Sequence, residues 1–384
     1  MKFHCEKALI QNAVSTAARA VSLKSTIPAL EGLLLEADGS GTVNVTGYNQ
    51  ETGIRSSFSA EVTEAGSLVL PARLLGEIIR KMPDDTVLFQ EEKQKVHLAC
   101  GMSEFDLIGI DPEDFPELPT VEYQNSLTLP QETLKSMIGQ TLFAVSQDES
   151  RPGHTGSLCV GEEEGLTIVA VDGFRLALRK ETTEGRNDAF PFVVPGASLA
   201  EVERICKEVS DPVSIHQGSR HVLFRMEDTI LITRRLEGEF LAWRQAIPRN
   251  NPVKINVDRR QLLSCIERVS LIVSEKLKSP LRCVMGEDSI DITTRTAVGV
   301  AHDRCPAAGN GGGLEIGFNN RYMLDALRAA SCDQVVLELS SPITPCIIVP
   351  AEGEENFLFM VLPVRLKSDL SYKRKDHGET IGIH

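Results

Sequence analysis

Apolar residues recur at helical spacing in three stretches of the chain, residues 9–21, 134–145 and 262–273. A proline behind polar residues follows each stretch, in Ser25-Thr26-Ile27-Pro28, Ser150-Arg151-Pro152 and Lys278-Ser279-Pro280; these prolines stand 124 and 128 positions apart. A second helical run opens later in each stretch, in Leu70-Pro71-Ala72-Arg73, Val194-Pro195-Gly196-Ala197 and Gly317-Phe318-Asn319-Asn320, with Pro71 and Pro195 again 124 apart. Between the helical runs the period changes to two. Val96-His97-Leu98-Ala99-Cys100 and Phe105-Asp106-Leu107-Ile108 alternate in this way, as do His221-Val222-Leu223-Phe224-Arg225-Met226 and Thr229-Ile230-Leu231-Ile232-Thr233. Paired alternating runs around short polar turns predict hairpins. Helix followed by strands occurs twice per repeat, so each repeat is expected to be two half-domains, each a helix on an antiparallel sheet. The fold class is therefore α+β, with three similar domains. The repeat is domain-sized, well beyond the ~20–50 residues of a solenoid unit.

Proline-rich and polar segments mark the joints. Residues 111–119, acidic with three prolines, and residues 247–252, polar between Pro248 and Pro252, read as linkers. Domains are expected at 1–121, 122–249 and 250–366, followed by a polar tail at 367–384. Gly309-Asn310-Gly311-Gly312-Gly313 lacks the Lys-Ser/Thr of a phosphate loop and reads as a hairpin tip.

Composition narrows the class. The longest apolar runs, such as Phe357-Leu358-Phe359-Met360-Val361-Leu362, fall far short of the ~20 residues of a membrane span. Met1-Lys2-Phe3-His4-Cys5-Glu6 does not lead a basic stretch into an apolar one, so no signal peptide is expected. Nine cysteines, an odd number without a C-x-x-C pair, point to reduced thiols in a cytoplasmic protein and away from a disulfide frame or a zinc site. His216 and His221 flank Gln217-Gly218-Ser219 and read as ordinary loop residues. No metal or cofactor is implied, and the sequence carries none of the common nucleophile, zinc-protease, phosphate-loop or dinucleotide motifs. The net charge of −14 alone argues against nucleic acid, but the six expected helices are together slightly basic while the remainder is strongly acidic. Helices lining one surface would make that surface attractive to phosphate. The alternative is scatter, since Lys and Arg are good helix formers.

Two segments read as binding-site candidates. Val169-Ala170-Val171-Asp172-Gly173-Phe174-Arg175-Leu176-Ala177 is a strand, an Asp-Gly turn and a further alternating run. Its plain reading is a hairpin or bulge with Arg175 exposed and Phe174 in the core. Met360-Val361-Leu362-Pro363-Val364-Arg365-Leu366 places a proline in an apolar strand, which belongs on a sheet edge where a peptide can dock. Its plain reading is a terminal core strand.

The threefold repeat, Val171-Asp172-Gly173-Phe174-Arg175-Leu176 and the closing Leu362-Pro363-Val364-Arg365-Leu366 resemble the β sliding clamp family of bacterial DNA polymerase III. Met1-Lys2-Phe3, Ile27-Pro28 with Leu33-Leu34-Leu35, Pro71-Ala72-Arg73, Asp114-Phe115-Pro116 and Glu315-Ile316-Gly317-Phe318-Asn319 extend the resemblance over residues 1–366. It implies a DNA clamp fold whose homodimer is a ring of six domains, helices inside and sheets outside. Such a ring encircles double-stranded DNA as a non-catalytic processivity factor. The resemblance places DNA contacts at Lys24, Arg73, Arg80 and Arg151, and the subunit interface at Phe105, Leu107, Leu271 and Ile272. It places a pocket for short linear motifs between the second and third domains, walled by Val171, Gly173, Phe174, Arg175, Leu176, Leu241, Cys346, Met360, Leu362, Pro363, Val364 and Arg365. The partners it implies are the polymerase III catalytic subunit, the clamp loader, other DNA polymerases, and mismatch-repair and ligase-type proteins. The chain departs from some members at Pro152-Gly153, His154, Gly196-Ala197, Gln245 and Ala246. A scaffold or enzyme unrelated to DNA is the competing class; it predicts a stable monomer.

Overall fold

The computed structural model describes all residues except 123–124, 163–164, 184–189, 275, 277–278, 353–355 and 367–384. The polar tail thus lies outside the described residues. Seven α-helices occur among those described: α1 (Lys7–Ala17), α2 (Ala72–Lys81), α3 (Gln131–Thr141), α4 (Gly196–Ile205), the single-turn α5 (Trp243–Ala246), α6 (Arg259–Ser270) and α7 (Asn320–Ala329). The long ones pack in pairs, α1 on α2, α3 on α4 and α6 on α7, so each repeat contributes two helices to antiparallel sheets. This is the predicted α+β arrangement, made three times.

The same local physics starts three of these helices. Pro71, Pro130 and Pro195 each close a strand and stand at the N-cap of α2, α3 and α4. Proline's fixed φ suits both the strand end and the helix entry, so the chain passes from sheet to helix without a loop. The third repeat uses side-chain caps instead. Asp258 accepts from the Gln261 amide at 2.8 Å ahead of α6, and Asn319 accepts from Arg321 and Tyr322 ahead of α7. Pro28 and Pro152 open short 3-10 turns, while Pro280 leads into the strand Leu281–Met285.

The chain divides into two compact units, Met1–Ile168 with Lys180–Phe240, and Val169–Arg179 with Leu241–His384. The first unit holds two of the repeats. A five-stranded sheet runs Glu61–Glu64, Lys2–Glu6, Thr86–Glu92, Lys95–Cys100, Ser103–Ile108. An eight-stranded sheet takes Asn125–Pro130, Pro212–Gln217, His221–Arg225 and Thr229–Arg234 from the central repeat. It continues with Thr52–Ser59, Thr42–Tyr48, Gly32–Ala37 and Gly66–Pro71 from the first. The repeats meet where Thr229–Arg234 pairs antiparallel with Thr52–Ser59, Thr233 opposite Thr52. Behind that seam the buried hydroxyls of Thr52, Ser198 and Thr233 bond to one another at 2.7–3.3 Å. The first core stacks Phe3 on Phe89 at 4.8 Å, and the central one stacks Phe190 on Phe192 at 6.0 Å.

In the second unit the strand order is Arg175–Thr182 (through Arg179), Phe357–Val361, Cys346–Pro350, Gln334–Leu339, Val253–Asp258, Gly299–Gly309, Ser289–Thr296, Leu281–Met285, Leu314–Phe318. Phe357 stacks on Phe359 at 4.6 Å.

Several expectations change on contact with tertiary structure. Phe357–Val361 is not an edge strand, for it has a neighbour on each side; Pro363 falls just beyond it, where the chain has left the sheet. The acidic segment at 111–119 is not a bare linker, because its Phe115 is buried against Ala29, Leu30, Tyr48 and Val69. His216 and His221 are strand residues flanking the turn, not loop residues. The glycine-rich tip is a turn as expected, tied down by Asn310, which accepts from the Lys254 amide and donates to the Pro252 carbonyl.

Candidate functional site

The turn after Val171 positions the central features of the groove. Gly173 takes a φ of +92°, which a side chain would resist. One Asp172 carboxylate oxygen accepts from the amides of Phe174 and Arg175 at 2.9 and 3.0 Å, fixing an Asx turn. The other accepts from Arg175 Nε at 2.8 Å. Arg175 Nη1 then donates to Asp325 of α7 at 2.6 Å, and its guanidinium lies 4.6 Å over the Tyr322 ring. The Arg175 side chain is only 10% exposed. Phe174 is turned the other way, 59% exposed, with its ring stacked 6.1 Å from Tyr322.

The plain reading of this turn is therefore inverted: the phenylalanine is outside and the arginine inside. Two carboxylates and a ring face hold the arginine better than water could, because its planar fork serves both carboxylates at once. An exposed aromatic ring beside it offers an apolar anchor.

The C-terminal segment completes this surface. The Leu362 amide donates to the Phe174 carbonyl at 2.9 Å, and the Val364 amide donates to the Gly317 carbonyl at 2.8 Å. Gly317 must lack a side chain, since a Cβ would lie 2.4 Å from the Val364 carbonyl oxygen. Leu176 pairs with Met360, and Cys346 with Val361. Val171, Leu176, Cys346 and Met360 are buried as the floor; Leu362 and Pro363 are half-buried; Phe174, Val364 and Arg365 are exposed. Leu241, on the segment leading into α5, is 37% exposed. All twelve expected wall residues fall in the second unit, because the strand around Arg175 groups with the C-terminal repeat. Asp172, Tyr322 and Asp325 were not among the expected residues. Tyr322 and Asp325 share one face of α7 at i, i+3, a spacing visible in the sequence but without a partner to give it meaning.

The expected DNA contacts lie in the first unit. Arg73 and Arg80 stand seven residues apart on α2, two turns along one face, and both are exposed. Arg73 Nε lies 3.2 Å from Glu77 on that helix. Lys24 is exposed in the loop after α1, where Ser22 Oγ donates to its carbonyl. Arg151 is exposed ahead of the Pro152 turn, and its carbonyl accepts from the His154 amide. Burial and then the Arg151 charge hold the His154 imidazole below its usual pKa.

The expected interface residues lie beside open strand edges. Ser103–Ile108 is the outer strand of its sheet, with Phe105 exposed, Ile108 exposed, and Leu107 half-buried against the first core. In the second unit, residues 299–306 pair with Ser289–Thr296 on one side only among the described pairings. Leu271, at the C-cap of α6, is 84% exposed, and Ile272 half-buried. Arg268 Nε binds Asp303 at 2.6 Å and so ties the end of α6 to that open strand.

All nine cysteines are free, and burial pushes the thiols of Cys5, Cys159, Cys206, Cys283 and Cys305 up to about 12. Among the described residues no group of three or more His, Cys, Asp or Glu is placed to hold a metal, and no helix is long and apolar enough to cross a membrane.

Comparison with known proteins matches the chain to three family models of the DNA polymerase III beta subunit: the N-terminal domain over residues 1–119, the central domain over 128–241 and the C-terminal domain over 244–365. The beta sliding clamp of Staphylococcus aureus is 31% identical over 376 residues, covering 95% of this chain and 99% of that protein. A crystal structure of the DNA polymerase sliding clamp from Bacillus subtilis superposes with a TM-score of 0.90 at 30% identity, over 96% of this chain and 100% of its own. One from Pseudomonas aeruginosa bound to griselimycin gives 0.91 at 26% identity, over 95% and 100%. The three-domain α+β fold, the turn at Asp172-Gly173 and the matches along residues 1–365 thus agree, and the chain belongs to the DNA polymerase III beta subunit family of bacterial sliding clamps.

Proposed function

We infer that this chain is a DNA sliding clamp: a homodimeric ring that encircles duplex DNA and tethers a replicative polymerase, without chemistry of its own. Membership of the family across all three domains carries this reading. The open edges at Ser103–Ile108 and at residues 299–306 support the dimer. Unpaired strand edges with apolar side chains are liabilities unless another chain covers them. Edge-to-edge pairing of two copies, with Phe105 and Leu107 set against Leu271 and Ile272, covers both edges on each and closes a ring. Domain limits near 121 and 249 belong to the same reading.

Topological linkage removes the need for tight DNA contacts. Exposed, screened groups such as Lys24, Arg73, Arg80 and Arg151 then serve as weak phosphate contacts over which DNA slides. The groove of Phe174, Leu362, Pro363 and Val364 takes one apolar side chain or more from a short linear motif. Arg175 sets the shape of this groove rather than meeting the ligand as a free charge. Polymerase III catalytic subunit, clamp loader, other polymerases, and mismatch-repair and ligase-type proteins are the partners that would share it, in the cytoplasm.

The test is binding of the polymerase catalytic subunit to wild-type chain and to Phe174→Ala. Loss of an exposed aromatic anchor is expected to weaken binding by about tenfold or more. Equal affinity for both chains contradicts the groove assignment.

A further inference from the structure

The groove lies where the described chain runs out. Leu362 is bonded to Phe174, Val364 to Gly317, and Leu366 is packed at Gly317. Another 18 residues follow, 367–384, and they lie beyond the C-terminal family model, which stops at 365. The relatives matched end to end leave about this much of the chain uncovered. The extension thus lies beyond the matched family domains, and it is attached beside the groove.

Its composition suits that place. Ser368-Asp369-Leu370-Ser371-Tyr372 sets a leucine and an aromatic residue two apart among small polar ones. The groove offers apolar anchorage at Phe174 and Val364, which are exposed, and at Leu362 and Pro363, which are half-buried. The extension carries Lys367, Lys373, Arg374 and Lys375 against Asp369, Asp376 and Glu379, so it is slightly basic on a chain of net charge −14. Covalent attachment places these residues at an effective concentration on the order of millimolar near the groove. A contact too weak to matter between separate molecules is then populated within one.

We propose that residues 367–384 are a tethered ligand of the chain's own partner groove, with Leu370 and Tyr372 as its anchors. The extension competes with partner motifs and sets a threshold that only the tighter binders cross. This rests on the groove reading above. An occupied fraction of the groove lowers the apparent affinity for every partner in proportion to the fraction left free.

The experiment compares the full chain, the full chain carrying Leu370→Ser with Tyr372→Ser, and the full chain carrying Phe174→Ala. Each is titrated with the polymerase catalytic subunit, and with a fluorescent synthetic peptide of residues 367–384. The proposal predicts that the doubly substituted tail binds polymerase about two- to tenfold more tightly than wild type. It also predicts that the labelled peptide binds this variant and is displaced by polymerase. Unchanged polymerase affinity together with no binding of the peptide overturns the proposal. If the peptide binds but polymerase does not displace it, the tail has a site elsewhere and the proposal is likewise overturned. Polymerase affinity unaffected by Phe174→Ala marks failure of the groove reading itself, a separate result.

Discussion

At the scale of residues, the groove depends on one arginine being withdrawn from solvent. Arg175 binds Asp172 and Asp325 and covers Tyr322, and Phe174 is thereby left facing outward. Arg175→Ala leaves two carboxylates facing each other without their cation. It is expected to cost about 1–3 kcal/mol, less than a fully buried pair because Asp325 is partly exposed. Thermal melting of the purified variant checks this; an unchanged melting temperature contradicts the role. Arg175→Lys is expected to recover little, since an ammonium does not present the planar fork that reaches both acids. The turn itself was legible in Asp172-Gly173. Which neighbour faces out was not, because that choice is made by Tyr322 and Asp325 on a helix some 150 positions away.

At the scale of elements, helix starts were legible wherever a proline or an Asn cap marks them, at Pro71, Pro195 and Asn319. The pairing of Thr229–Arg234 with Thr52–Ser59 was not legible, because alternation fixes which face of a strand is buried and says nothing of its neighbour. That seam carries the hydroxyl trio of Thr52, Ser198 and Thr233. Thr233→Val leaves the other two hydroxyls short of a buried partner and is expected to destabilise the first unit by about 1–3 kcal/mol, measured by denaturant unfolding. No change in midpoint means the trio contributes nothing. The open edges make a second prediction: Leu271→Lys or Phe105→Asp is expected to turn a dimer into monomers in sedimentation experiments. A dimer that survives both changes contradicts the interface assignment.

Acid adds a third prediction at this scale. Hydrogen bonding from Arg268 holds the Asp303 carboxyl below its ordinary 3.8. A depressed folded value means the tie between α6 and the open strand is fully present above 3.8 and is lost as the pH falls through the lower folded value. Amide exchange at the end of α6 is therefore expected to rise in strong acid in wild type. Arg268→Ala is expected to show the faster exchange already at neutral pH; identical exchange in both chains would mean that the ion pair does not secure the element.

At the scale of the molecule, the repeat was the feature most plainly written in the sequence, since three spaced prolines and three pairs of helical runs needed no tertiary information. The net charge of −14 was misleading by itself, because a protein that holds DNA by encircling it does not need an overall basic surface. The central claim is that the hold on DNA is topological. The direct measurement is retention on nicked circular DNA after loading by a clamp loader with ATP, before and after the circle is cut once. The account predicts a protein that stays on the circle and runs off once the DNA is linear. Loss from the intact circle, with the loader shown to be active on another clamp, or equal retention on both forms, would contradict it.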